Sequence, residues 1–239
     1  MRAAAFVLVF YVCGFAVGSG GGEGVSVSGS IVVTRKSKSA ADNGNVAIWL
    51  KSVGNQDGRR AGDGVTPRAR PKILQQNKRF EPPLLVVPVG SVVDFPNLDP
   101  FFHNVFSMFE GKRFDLGLYE AGTSRSIAFS KPGVSYLFCN IHPEMSAVVV
   151  AVDTPYYAVS NRAGEFTVPN VPPGRYVVTI WHERHKLQRP DEFPREVSIS
   201  PASGSLGVIH LIESDQVIVP HKNKYGHDYT PPPSSPVYK

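Results

Sequence analysis

Residues 139–145 have the sequence "CNIHPEM" and follow "GVSYLF" (133–138), which has the β-branched and aromatic composition of a strand. Cys139, His142 and Met145 stand three residues apart in this stretch, and each offers a side-chain atom that binds soft or borderline metal ions. A tight loop at the end of a strand can turn three such side chains toward one centre. We therefore interpret the stretch as a metal-binding loop.

The donor atoms indicate which metal such a loop would hold. A thiolate, two imidazoles and a weak thioether suit copper that cycles between Cu(I) and Cu(II). The loop supplies one imidazole, so a second histidine must come from elsewhere in the chain. His103 in "DPFFHNVF" (99–106) is the best candidate, because it follows a strand-and-turn run upstream of Cys139. Nearby aromatic residues are expected to exclude water from the site: Phe101, Phe102, Phe106 and Phe138.

The composition predicts an all-β protein. The chain has 239 residues with 21 prolines and 22 glycines, and short β-branched runs lie between these turn residues. Short strands at this spacing are typical of a β-sandwich or a barrel.

Two segments resemble the cupredoxin family. They are "RFEPPLLVVPVGSVVDFPNLDPFFHNV" (79–105) and "PGVSYLFCNIHPEMSAVVVAV" (132–152). The spacing Cys-x2-His-x2-Met is most similar to the amicyanin type, whereas plastocyanin-like members have a longer gap before Met. The resemblance implies that residues 71–152 form a Greek-key β-sandwich.

The same resemblance implies one type 1 copper ion per chain, with these ligands: His103, Cys139, His142 and Met145. It also implies that the Asn104 side chain ties the two ligand-bearing segments together. Phe102 and Pro143 are expected to support the site, Phe102 by excluding water and Pro143 by stiffening the loop. In addition, "FDLG" (114–117) resembles a segment of exported methylamine-utilization-protein-like chains, which does not by itself imply a methylamine pathway.

A second resemblance covers "YYAVSNRAGEFTVPNVPPGRYVVTIWHE" (156–183), which is similar to the transthyretin-like or carboxypeptidase-regulatory-like β-sandwich. The motifs that carry it are Gly164-Glu165-Phe166 and Pro172-Pro173-Gly174-x-Tyr176. Such modules open with patterns that match "VSVSGSIVV" (25–33) and "NVAIWL" (45–50).

We therefore predict an inserted arrangement, in which residues 25–53 and 153–215 form the second sandwich around the copper domain. Residues 54–70 are predicted to be a linker, and 216–239 a flexible tail. The alternative is a serial arrangement, in which residues 25–53 add strands to the cupredoxin-like domain.

The N-terminus has the features of a secretory signal peptide in residues 1–18. Arg2 precedes an apolar run that is too short to span a bilayer, and a small-x-small pattern ends at Gly18. Cleavage there would remove Cys13 and leave Cys139 as the one cysteine. We expect a periplasmic or secreted protein with no stable membrane span after cleavage.

The charge bears on the choice of partners. The formal net charge is +5. Basic residues cluster between positions 59 and 79: Arg59, Arg60, Arg68, Arg70, Lys72, Lys78 and Arg79. This cluster is interpreted as a solvated linker, or alternatively as a docking face for an acidic partner. Export argues against a nucleic-acid partner.

The sequence offers no catalytic constellation, neither a nucleophile elbow nor a Gly-rich phosphate loop. Four protein ligands would leave the metal no open position for a substrate, so we predict a protein that is not an enzyme. The expected function is electron transfer, one electron at a time, between protein redox partners. Two alternatives stay open: a copper carrier without a redox role, and a structural or adhesion module with a vestigial copper site.

Overall fold

The computed structural model describes residues 24–34, 42–54, 70–108, 111–184, 193–213 and 221–229. The predicted signal peptide (1–18) and nearly all of the predicted linker (54–70) lie outside the described residues. All the regular secondary structure within the described ranges is β-strand, so the all-β prediction is confirmed. Accordingly, this part of the chain holds no helix with the length and apolar character to cross a membrane.

Sixteen strands make up the described fold. They are β1 (Val25–Thr34), β2 (Ala47–Ser52), β3 (Leu74–Gln76), β4 (Arg79–Glu81), β5 (Leu84–Pro88), β6 (Val92–Pro96), β7 (His103–Ser107), β8 (Phe114–Tyr119), β9 (Ser124–Ala128), β10 (Gly133–Phe138), β11 (Ser146–Val152), β12 (Tyr157–Val159), β13 (Glu165–Val171), β14 (Gly174–Trp181), β15 (Arg195–Ile199) and β16 (Ser205–Ile212).

Strands from both ends of the described chain form one pair of sheets. One sheet has the order β13-β1-β16, and the other has the order β12-β2-β14-β15. In the first sheet β1 runs antiparallel to β13 and parallel to β16. Apolar residues of the two sheets share one core, in which Val27, Ile48 and Val178 are fully buried. The inserted arrangement predicts this pairing of β1 with β13, whereas the serial arrangement predicts that β1 pairs with strands of residues 71–152.

The intervening strands form the second group. The main sheet has the order β5-β11-β10-β7-β8, with β6-β9 and β3-β4 as two-stranded sheets beside it. In the described part of the chain, the ladder partners of β3 to β11 all come from within that same group. Their core contains Val93, Phe95, Leu137 and Val149, all fully buried.

Strand β11 explains how the two groups pack together. Its sequence "SAVVVAV" is apolar almost throughout and does not alternate with polar residues, because both faces of the strand are buried. Ala147, Val149 and Ala151 face the core of the second group. Since successive side chains point to opposite faces, Val148 and Val150 face a separate cluster that also contains Ala47 from β2.

Strand pairing in the main sheet also brings the predicted ligands together. β7 and β10 are antiparallel neighbours, with Phe106 opposite Phe138. The chain that leaves β10 therefore passes the start of β7, where His103 lies. The loop 139–145 closes beside that histidine before the chain enters β11.

Candidate metal centre

Three of the four predicted ligands meet at the end of the main sheet. His103 is the first residue of β7, Cys139 follows the last residue of β10, and His142 lies in the loop before β11. The Cys139 thiol and both imidazoles place one ligand atom each within 4.8 Å of one another. His103 and Cys139 are fully buried, and His142 is half-buried.

The distances between the ligand atoms fit a single metal ion. The two Nδ1 atoms of His103 and His142 are 3.1 Å apart. Cys139 Sγ is 3.9 Å from Nδ1 of His103 and 3.7 Å from Nδ1 of His142. An ion bound at ~2.0 Å to nitrogen and ~2.3 Å to sulfur would separate nitrogen pairs by about 3.3–3.5 Å and nitrogen–sulfur pairs by about 3.5–3.7 Å. The cluster therefore has the dimensions of a metal site with two histidine ligands and one cysteine ligand.

Met145 lies next to this cluster and ends the loop. It is fully buried in the same core as Cys139. Its backbone N–H donates to the carbonyl of His142, and its own carbonyl accepts from the N–H of Cys139. These two backbone hydrogen bonds fix the conformation of the loop and so fix the directions in which its side chains leave the backbone. The ligand role of Met145 stays a prediction.

A carboxylate that sequence reasoning missed orients His103. Nε2 of His103 lies 2.8 Å from Asp99 Oδ2, and both side chains are buried. A carboxylate oxygen accepts, so Nε2 carries the proton and Nδ1 keeps its lone pair for a metal. The Asp99-x3-His103 spacing just before a strand was the one signal in the sequence for this contact.

Further contacts keep the Asp99 carboxyl ionised. Burial on its own would raise the pKa of Asp99, but hydrogen bonds from the backbone of Lys78, from His103 and from the backbone of Asn77 hold that pKa below its ordinary value. The two backbone bonds are 2.9 and 2.7 Å long. Asp99 thus places a negative charge beside Nε2 of His103, the ring nitrogen that does not face the cluster.

The surroundings of Cys139 favour a bound cation. Burial raises the pKa of the Cys139 thiol, while three backbone N–H groups, from Ile141, Asn104 and His142, point at the sulfur and act in the opposite direction. Burial prevails, so the pKa of the Cys139 thiol in the metal-free chain lies above its ordinary value. A metal ion would supply the missing positive charge and convert the group to thiolate.

His142 is prepared for metal binding in a different way. Burial lowers its pKa, and the neighbouring His103 and Lys78 lower it further. A neutral imidazole is the metal-binding form. The ring of Phe101 lies 5.2 Å from that of His103 and 5.6 Å from that of His142. One aromatic side chain thus covers both histidines.

Two of the residues predicted to support the ligands, Phe102 and Asn104, are placed differently from what was expected. Phe102 is 54% exposed, so Phe101 supplies the aromatic cover that the sequence assigned to both. The side-chain amide of Asn104 donates to Asp115 and to the carbonyl of Gly117 in β8 instead of crossing to the 139–145 loop. It is the backbone N–H of Asn104 that reaches this loop, at the Cys139 sulfur. Pro143 is exposed and accepts a hydrogen bond at its carbonyl from His221.

Comparison with known proteins gives structural similarity alone. No protein-family model matches the chain, and no curated protein matches it. A purple cupredoxin from Nitrosopumilus maritimus is 24% identical over 34% of this chain and 99% of its own, with a TM-score of 0.32. An oxidized amicyanin mutant is 24% identical over 34% of this chain and 81% of its own, with a TM-score of 0.33.

A Cu-containing nitrite reductase from Thermus scotoductus is 21% identical over 51% of this chain but 28% of its own length, with a TM-score of 0.35. The resemblance to cupredoxins that the sequence motifs predicted thus recurs among these solved structures, which include a purple cupredoxin and an amicyanin. At these low scores the similarity carries no functional argument, and the function has to be argued from the residues of the site.

Proposed function

We propose that this chain is a copper protein that carries single electrons between protein partners. Its one type 1 copper ion would be held by four ligands: His103, Cys139, His142 and Met145. The observation that carries the proposal is the convergence of one thiol sulfur and two imidazole Nδ1 atoms within 4.8 Å. Bound copper would supply a one-electron Cu(II)/Cu(I) couple.

The donor set favours copper over zinc. Structural zinc sites are closed by four cysteine or histidine ligands. Among the described residues the cluster has three such ligands, and the loop that carries two of them ends with the buried thioether of Met145. A plane of one cysteine and two histidines with a weak thioether is the arrangement typical of blue copper.

The chain's own contribution to electron transfer is a fixed ligand geometry. Asp99 holds the ring of His103 through Nε2, and the Met145 and Cys139 backbone groups close the loop. Ligands that are already in position move little when the oxidation state of the ion changes. The buried sulfur atoms of Cys139 and Met145 are also kept away from water.

Electrons would enter and leave through His142. This ligand is half-buried, whereas His103 is fully buried. Its Nδ1 faces the cluster, so its Nε2 edge lies on the opposite side of the ring. The large exposed apolar side chains Leu98, Phe102 and Ile141 lie close in sequence to the ligands and offer a surface for transient docking.

The same features favour this proposal over a copper carrier and over an enzyme. A carrier has to hand over its metal, and complete burial of Cys139 and Met145 obstructs a second protein from reaching those ligands. Four protein ligands would leave no position for a substrate, which supports a role other than catalysis. The signal-like residues 1–18 support export to the periplasm or the exterior, where the partners would be met.

The test is electron exchange through His142. We expect the copper-loaded chain to give a reversible one-electron wave and to exchange electrons with a small redox protein. His142→Gly should slow that exchange at least tenfold, and added imidazole should restore part of it. Exchange at the unchanged rate in the variant would contradict the proposed route. Release of copper to an acceptor without any reversible wave would favour the carrier.

A further inference from the structure

The described C-terminal residues lie against the metal-binding loop. Residues 221–229 fall within the segment 216–239 that the sequence predicted to be a flexible tail. In the structure they instead form hydrogen bonds to three residues of the loop: Cys139, Asn140 and Pro143. These bonds join groups 78 to 90 residues apart in the chain.

Tyr229 and His221 form hydrogen bonds to two backbone carbonyls of the metal-binding loop. The hydroxyl of Tyr229 donates a 2.7 Å hydrogen bond to the carbonyl of Cys139. Nε2 of His221 donates to the carbonyl of Pro143 at 2.8 Å, and its ring stacks on Phe138 with the centroids 3.9 Å apart. Tyr229 and His221 also contact each other, with 3.2 Å between Oη and Nδ1.

Lys224 links the loop to β8, the strand beside the one that carries His103. Its backbone N–H donates to Oδ1 of Asn140, and its ammonium group forms a 2.7 Å ion pair with Asp115. The second carboxylate oxygen of Asp115 accepts from the side chain of Asn104. The backbone N–H of Asn104 points in turn at the Cys139 sulfur. Asp115 is the acidic residue of the "FDLG" segment, which thereby connects the tail to the metal site.

We propose that residues 221–229 form a clasp that positions the ligand loop and its thiol, with Tyr229 and Lys224 as its positioning residues. The proposal rests on the proposed function in naming copper as the ion that the loop retains. Tyr229 of the clasp bonds directly to the Cys139 carbonyl. Lys224 acts through Asp115 on Asn104, whose backbone N–H faces the Cys139 sulfur.

The clasp acts by resisting local opening. A buried ligand exchanges its metal, or reacts with a reagent, when the loop opens. Each clasp bond has to break before the Cys139 backbone can swing away from β7. One hydrogen bond contributes about 0.5–1.5 kcal/mol, which corresponds to roughly a two- to twelvefold change in the opening equilibrium.

The test compares three substitutions in residues 221–229 of the full chain. Tyr229→Phe removes the hydroxyl that bonds to Cys139. Lys222→Met is the control, because the side chain of Lys222 is exposed and takes no part in the hydrogen bonds and the ion pair that join the segment to the loop and to Asp115. Lys224→Met is a second test variant, which breaks the ion pair with Asp115.

Two rates are measured for each variant. In the metal-free chain, modification of Cys139 by a small disulfide reagent is followed at the Cys139 peptide by mass spectrometry. In the copper-loaded chain, loss of copper to excess EDTA is followed together with the position of the thiolate absorption band. We expect Tyr229→Phe and Lys224→Met to accelerate both rates about three- to tenfold, and Lys222→Met to leave them within about twofold of the original chain.

The metal-free rate separates the two proposals. Accelerated Cys139 modification in a chain that binds no copper would support the clasp and overturn the proposed function. Equal modification rates in all four proteins would overturn the clasp, whether or not the chain binds copper. A shift of the thiolate band in Tyr229→Phe, with the thermal unfolding midpoint unchanged, would support positioning over a general effect on stability.

Discussion

The buried carboxylate of Asp99 accepts a 2.8 Å hydrogen bond from Nε2 of His103, the more deeply buried of the two candidate histidine ligands. The same carboxylate accepts the backbone N–H groups of Asn77 and Lys78, which hold it in place. A fixed carboxylate behind a ligating imidazole selects the tautomer and makes the ring a better donor. The nitrogen atom that His103 would offer to a metal is thus determined by a residue four positions earlier in the chain.

Replacing Asp99 with Asn should weaken metal binding. The amide has one acceptor oxygen for three donors, and it can present its amino group to Nε2 and so disfavour the metal-binding tautomer. We expect the affinity for copper to fall about 10- to 100-fold, the range typical for partners of metal-bound histidines. The measurement is a competition titration against a chelator of known affinity.

Asp94→Asn serves as the control for that change. Asp94 lies in β6, where it accepts from the hydroxyl of Ser126 and contacts Arg70. We expect the Asp94→Asn variant to bind copper with the same affinity as the original chain. Equal affinities for the Asp99 and Asp94 variants would show that the carboxylate at position 99 does not support His103.

Replacing Met145 with Leu should change the redox equilibrium but keep the site assembled. Leu conserves most of the apolar volume of this fully buried side chain and removes the thioether donor. Loss of a weak donor disfavours Cu(II) relative to Cu(I), so the potential should rise. We expect a change of about tenfold in the ratio of the two affinities, equivalent to ~59 mV for one electron.

Voltammetry of the copper-loaded variant measures this shift, and Met108→Leu is the control. Met108 is exposed, so its replacement should leave the potential unchanged. A potential for Met145→Leu equal to that of the control would indicate that Met145 is a core residue and not a ligand.

The ion pair of Lys224 with Asp115 should stabilise the chain over a defined pH range. Burial would raise the pKa of Asp115, but hydrogen bonds from Lys224, Gly117 and Asn104 hold it below 3.8, and the pair raises the pKa of Lys224 above 10.5. The stabilisation is therefore present above pH 3.8 and is lost as the pH falls through the lowered pKa of Asp115. At the alkaline end it is lost as the pH rises through the raised pKa of Lys224.

Urea unfolding of the metal-free chain tests this pH range. At pH 7 we expect Asp115→Asn to lower the free energy of unfolding by about 1 kcal/mol, a typical value for a partly exposed pair. The difference should vanish on acidification below the lowered pKa. Asp228→Asn is the control, because Asp228 is exposed and lies in the same segment as Lys224. This substitution should leave the free energy of unfolding unchanged at either pH. A difference for Asp115→Asn that is independent of pH would contradict the electrostatic origin.

Local sequence was enough to predict the part of the site that is local in the chain. Cys139, His142 and Met145 lie within one loop, so their spacing already limits where their side chains can point. His103 could be added because a strand-and-turn run precedes it. The all-β fold follows from the same kind of short-range signal, for example the apolar run of β11 between turn residues.

The contacts that sequence reasoning missed depend on where distant segments pack. Tyr229 is 90 residues from Cys139, and the composition around it, rich in proline and polar residues, resembles that of an unstructured tail. Phe101 and Phe102 are adjacent and chemically identical, so composition could not tell which of them would face the histidine rings. Asn104 posed a similar problem, because the tie to Cys139 is made by its backbone N–H, which every residue except proline carries.

The visible absorption spectrum of the Cu(II)-loaded chain tests the central claim most directly, with Cys139→Ser as the control. Ligation by the Cys139 thiolate predicts an intense charge-transfer band that disappears on reduction, returns on reoxidation and is absent from Cys139→Ser. A loaded chain without an intense band, or with a band that survives in Cys139→Ser, would contradict the proposal that this protein is a type 1 copper protein.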